Sequence, residues 1–192
     1  MSAKVGGFVL TSSPHIFGKT STPRILMTVM VALAPAVVMS MAYFGVRVAL
    51  LYALSATVAM ATEAVTKMAR KQDWRSIGDG SAALTGVLLV MTLPPSISPL
   101  LVALASVFSI FIGKEVFGGL GANIFNPALV GRAFLSAAYP VAMTQYSPPR
   151  SLFAVLGQSP DAVSQATPLA AARFEGITTS WMELFLGQVG GS

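Results

Sequence analysis

Ile25 to Phe44 is a run of 20 residues without one charged side chain, and this run limits the chain more than any other feature. At 1.5 Å per residue, a helix of that length reaches roughly 30 Å, the thickness of a bilayer's hydrocarbon layer. Lipid gives the backbone no hydrogen bonds, so a stretch this apolar reads as a membrane-crossing helix that satisfies itself. Pro35 lies inside it and predicts a bend, because its missing N–H and its ring open the hydrogen-bond ladder. After a tight connection at Gly45 to Arg47, Val48 to Ala64 supplies a second span with Glu63 at its end. The short connection makes the two helices antiparallel neighbours.

Hydrophobic residues make up 54% of the 192 positions and charged residues 10%, against about 25% charged in ordinary soluble domains. That length holds several crossings and one modest loop, but no separate soluble catalytic domain. Lys+Arg 12 against Asp+Glu 7 gives a net charge of +5, spread over short loops, which argues for topology and against nucleic acid. Lys4, Lys19 and Arg24 precede the first span, while Lys67, Arg70, Lys71 and Arg75 follow the second. Two crossings put both clusters on one side, and the positive-inside rule assigns it to the cytoplasm. Residues 1–23 are therefore read as a cytoplasmic lead; its apolar stretch Phe8 to Leu10 is too short for a signal-peptide core. Cysteine is absent, so the chain brings no disulfide, thiolate metal site or thiol chemistry, and electrons would need a borrowed cofactor.

The later segments are less regular. Gly80 to Leu93 is only 14 residues before Pro94-Pro95 and fits either a re-entrant half-helix or a span. Leu100 to Phe117 reads as a full helix with Lys114 and Glu115 near its end, broken by Gly118-Gly119-Leu120-Gly121. Asn126-Pro127 opens a last segment to about Met143, with asparagine as cap and proline at the first helical position. The expected fold is all-α: a polytopic membrane bundle over 24–143 with about five hydrophobic segments, some of them broken or re-entrant half-helices. An odd number of crossings after Arg75 brings the polar 144–180 loop outside. Residues 181–192 read as the start of a further membrane segment that stops abruptly, as in a truncated chain.

Among residues that could carry chemistry, Thr167-Pro168 reads as the cap and first position of a short helix, Leu169 to Phe174. A phosphate on the Thr167 oxygen would lie at that helix's N-terminus, where free N–H groups favour an anion. Gly118 to Arg132 combines three glycines with the carboxamides of Asn123 and Asn126, which each donate and accept. They serve either as caps of a tight turn or as polar partners of a ligand in an apolar bundle. Arg132 is a charge inside an apolar segment, open to a functional, snorkelling or pairing role. Glu63, Glu115 and Asp79 lie near span ends, where interfacial solvation accounts for them and an ion path is the alternative. His15 reads as an ordinary polar residue and the ten methionines as packing. No metal site and no catalytic acid or base is expected.

Ser13-Pro14-His15, Asp79-Gly80-Ser81-Ala82 with Thr85-Gly86, Leu93-Pro94-Pro95 and the whole of Phe117 to Phe134 resemble the D subunit of Rnf complexes. The resemblance runs through nearly the whole chain. It implies FMN joined by a phosphoester to Thr167, within Asp161-Ala162-Val163-Ser164-Gln165-Ala166-Thr167, by a dedicated flavin transferase; Gln165 stands where the family usually has glycine. It also implies a second, non-covalent flavin, riboflavin, beside Asn123 and Asn126. By the same resemblance the chain is a flavin-bearing electron-transfer subunit in a bacterial inner membrane. It would lie among lipid and the other Rnf subunits, in a complex linking ferredoxin oxidation and NAD⁺ reduction to Na⁺ or H⁺ transport. Two rivals remain: the B subunit of the sodium-translocating NADH:quinone oxidoreductase, and a passive transporter or channel built from half-helices.

Overall fold

The computed structural model describes residues 3–5, 8–10, 21–71, 78–146, 172–174 and 180–182. Ahead of the bundle, β1 (Ala3–Val5) and β2 (Phe8–Leu10) form an antiparallel ribbon in which Lys4 is paired with Val9. The bundle itself is helical: α1 (Thr22–Phe44), α2 (Val46–Ala69), α3 (Ser81–Met91), α4 (Pro99–Ile110), α5 (Pro127–Ala138) and α6 (Pro140–Thr144). A π-helical turn, Phe111–Glu115, prolongs α4.

Both long spans form as the hydrophobic runs require, and α1 and α2 are long and apolar enough to cross a membrane. The chain reverses between them on one residue. Gly45 takes φ 78° and ψ −170°, a conformation a side chain would strain, and its N–H closes α1 on the Met41 carbonyl at 2.8 Å. α1 buries none of its residues fully; Val37, Met41 and Phe44 near its end pack on the core, and the rest presents an apolar surface outward.

The polar contacts at the two ends of α2 fix the course of the shorter elements. Near its start, the Arg47 guanidinium donates to the carbonyls of Ser96 and Ile97 at 2.9 and 3.1 Å. Towards its other end, Lys114 joins Glu63 of α2 to Ser81, the first residue of α3. Arg47 and Glu63 are separated along the helix by roughly 24 Å at 1.5 Å per residue. The chain from Ser81 to Ile97 therefore runs the length of α2 antiparallel to it, instead of turning back on the side it entered. Its helix has only 11 residues, so the Asp79-Gly80 start and the Thr92 to Ile97 extension complete the passage. α4 returns, and α5 with α6, broken at Tyr139-Pro140, runs forward again until Gln145 O accepts from Ser96 Oγ at 2.7 Å. Among the described residues, three passages along the bundle follow α2.

Small residues let these helices touch. A Cβ on Gly86 of α3 would lie 2.8 Å from the Ala56 backbone of α2, and one on Gly131 of α5 would fall onto Ser109 Oγ and 2.8 Å from the Ala105 carbonyl of α4. Close backbone approach of this kind replaces the hydrophobic driving force that lipid does not supply. At the same level Ser55 Oγ donates to Gly86 O at 2.9 Å and lies 2.9 Å from Ser106 Oγ, tying α2, α3 and α4 together. The apolar core around Leu51, Leu89, Val102 and Leu135 fills the space between them.

A buried charge cluster and an aromatic groove

The π turn organises both candidate sites. One extra residue per turn changes which side chains face inward, and such insertions recur at functional positions. Here Lys114 and Glu115 point into the bundle, at 2% and 0% exposure. Lys114 Nζ donates to Glu63 Oε1 at 2.8 Å and to Ser81 Oγ at 2.5 Å; Lys67, one turn along α2, donates to the same Glu63 oxygen at 2.5 Å. Glu63 is fully buried. Asp79 caps the entry to α3 by accepting the Ser81 N–H at 2.8 Å.

Interfacial solvation of Glu63 and Glu115, the account favoured by their positions along the chain, is thus incorrect. α2 continues beyond Ala64 to Ala69, which places Glu63 inside the helix, and the π turn swings Glu115 away from solvent. Asp79, half-buried at a helix start, fits the interfacial reading better. The signal that could have found the cluster was the Glu63/Lys67 spacing of four on one helix face, with Lys114-Glu115 closing an otherwise apolar run.

The outward side of the same turn forms a groove of about 550 Å³, lined by Phe108, Ile112, Phe117, Phe125, Leu129 and Phe134 among others, with Asn126 on its wall. Phe108 and Phe134 stack there, centroids 4.2 Å apart and planes 13° from parallel. The volume falls within the range of small-molecule and cofactor sites, roughly 300 to 1,000 Å³. Asn126 Oδ1 accepts the Ala128 N–H at 3.0 Å, so the residue is the α5 cap that Asn126-Pro127 predicts. Asn123 Nδ2 donates to the Phe125 carbonyl at 2.9 Å, which fixes the loop. The two carboxamides share that loop, but only Asn126 lines the groove. Each keeps half of its hydrogen-bonding capacity: Asn126 Nδ2 and Asn123 Oδ1 have no protein partner among the described residues.

A second apolar groove of about 770 Å³ follows the outer face of α2 from Val58 to Arg70. Its Thr62 and Thr66 hydroxyls donate to their own helix carbonyls, so the lining offers a ligand little polarity. Arg132 is half-buried on α5, with no hydrogen bond or ion pair among the described residues. Thr167, with Asp161, Ser164 and Gln165, lies outside the described residues, as do His15 and the loop around Arg75. Of the helix expected over Leu169 to Phe174, the described part, 172–174, is helical.

Apolar helices enclosing ionisable side chains, with a cofactor-sized cleft on the flank, define a polytopic helical membrane protein. The chain belongs to the NQR2, RnfD, RnfE family, whose model matches residues 9–192. It is 40% identical over 181 residues to the D subunit of the proton-translocating ferredoxin:NAD(+) oxidoreductase complex of Clostridium ljungdahlii, covering 94% of this chain and 52% of that protein. It is also 40% identical over 146 residues to the D subunit of the ion-translocating oxidoreductase complex of Actinobacillus succinogenes, covering 76% and 41%. The corresponding Salmonella arizonae protein is 34% identical over 184 residues, covering 95% and 50%. The chain thus spans about half the length of the curated relatives it matches.

Proposed function

We propose that this chain is the flavin-bearing membrane portion of an electron-transfer subunit in an Rnf-type complex, which couples ferredoxin oxidation and NAD⁺ reduction to movement of Na⁺ or H⁺. The observation that carries the reading is the aromatic groove ending at Asn126, in a chain of this family that has no cysteine and so cannot hold an iron–sulfur cluster of its own. The residues fit a neutral flavin. An isoalloxazine ring presents an imide N–H and carbonyl oxygens; Asn126 Nδ2 is a donor left open on the groove wall, Asn123 Oδ1 is an acceptor left open in the same loop, and the phenylalanines supply apolar faces. When bound, a flavin supplies one- and two-electron redox chemistry. The chain's part is to desolvate the ring, fix its orientation through the carboxamides and keep water off its faces.

FMN on Thr167, attached by a flavin transferase, completes the reading; the cap-like Thr167-Pro168 sequence favours a phosphate there. The other Rnf subunits supply the ferredoxin and NAD⁺ sites, since this chain carries no dinucleotide-binding fingerprint. The Lys/Arg-rich ends of the first two spans favour a cytoplasmic side there, and an odd number of passages after them supports a Thr167 loop on the opposite face of the inner membrane. Fluorescence in a denaturing gel tests the proposal. The wild-type band should fluoresce after denaturation and Thr167→Ala should be dark, while Asn123→Leu/Asn126→Leu should lose only extractable riboflavin. A colourless wild-type complex would support a passive channel instead.

A further inference from the structure

The Glu115 carboxyl is fully buried, and among the described residues neither of its oxygens has a hydrogen-bond partner; the Glu63 Oε2 oxygen shares that condition. The protein has cations nearby but directs them elsewhere. Lys114 and Lys67 hold the other Glu63 oxygen. Arg70 is exposed and gives its Nη1 to the backbone carbonyl of Glu115 at 2.5 Å, not to its carboxyl. Asp79 and Ser81, from the start of α3, are engaged with each other and with Lys114.

A buried carboxyl left in this way costs several kcal/mol unless something compensates it, and a water molecule alone would leave its charge unbalanced. We infer that Glu115 is the centre of an exchangeable site for a monovalent cation, Na⁺ or H⁺, inside the membrane domain. Hard carboxylate oxygens suit either ion. The glycine turn borders the carboxyl: Glu115 Oε1 lies 3.8 Å from where a Gly119 Cβ would stand, and Gly118, Gly119 and Gly121 have φ of 114°, 94° and 90°. Side chains strain such a backbone, so the turn keeps glycine next to the carboxyl. The site also abuts the flavin groove, because Ile112 and Phe117, which flank Lys114-Glu115 in the chain, line that groove. An ion at Glu115 would lie on the inner side of the turn whose outer side is the groove. The site rests on the buried carboxyl, the identity of the ion rests on the cation movement proposed above, and neither depends on whether a flavin occupies that groove.

A hydrophobic carbodiimide tests it in native membranes, because the reagent forms a stable N-acylurea only with a buried carboxyl that carries a proton. Peptide mass spectrometry then reads the adduct at Glu115. For a Na⁺ site, the adduct forms in Na⁺-free buffer and slows about tenfold when Na⁺ is raised to ~10 times its dissociation constant. For an H⁺ site, it ignores Na⁺ and declines as the pH is raised. Glu115→Gln should carry no adduct there and Glu115→Asp should regain it. Glu115 unmodified in every buffer, or modified at a rate that neither Na⁺ nor pH alters, would overturn the inference while leaving the flavin reading intact.

Discussion

Replacing Lys114 by methionine removes a buried ammonium while nearly preserving the volume of its stem. In the native protein this group is 2% exposed and serves two partners, Glu63 Oε1 at 2.8 Å and Ser81 Oγ at 2.5 Å. Taking one partner out of a buried ion pair costs about 3 to 5 kcal/mol, since the remaining charge stays desolvated. Lys67 still holds Glu63 in the variant, so the lower end, about 3 kcal/mol, is expected, or roughly two powers of ten in the folded-to-unfolded ratio. Equilibrium unfolding in mixed micelles of rising SDS fraction, followed by far-ultraviolet circular dichroism, measures it. Adding Glu63→Gln should recover about 1 kcal/mol or more relative to the sum of the single changes, because the neutral amide no longer needs a cation. A loss below about 1 kcal/mol for Lys114→Met, or strict additivity of the two changes, would show that the cluster is hydrated and refute the buried-pair argument.

The same titration should register about 1 to 3 kcal/mol for Gly131→Ala, whose new methyl group meets Ser109 Oγ and the Ala105 carbonyl, and almost nothing for Gly78→Ala, which has open space around it. Asn126→Ala should lose about 1 kcal/mol of cap stability together with non-covalent flavin. Asn126→Asp keeps the acceptor for the Ala128 N–H but lacks the Nδ2 donor, so it should retain the stability and still lose flavin affinity by equilibrium dialysis. In this cysteine-free chain, a membrane-impermeant thiol reagent applied to intact cells should label Gln158→Cys and spare Gln72→Cys; the reverse pattern would invert the topology.

The spans were legible because hydrophobic length and charge-free composition are properties of the chain itself, as Ile25 to Phe44 shows. Asn126 was equally legible as a cap, since the N-cap and proline positions are local rules. The Ser81 to Ile97 passage was not, because its helix is too short to announce a crossing. Its course is set by Arg47, which reaches the Ser96 and Ile97 carbonyls from a distant part of the sequence. The charge cluster was hidden for a related reason. Glu63 and Glu115 stand near the ends of apolar runs, and only the continuation of α2 and the register change of the π turn carry them into the protein. The carboxamides were recognised as a pair, but which of them lines the groove depends on the packing of α4 against α5.

That this chain carries FMN on Thr167 is tested most directly by the mass of the tryptic peptide containing that residue, taken from the complex purified out of cells that make the flavin transferase. The account predicts a peptide heavier by one FMN less one water, with fragmentation placing the addition on Thr167. An unmodified peptide from those cells, or the same addition on Ser164, would contradict it.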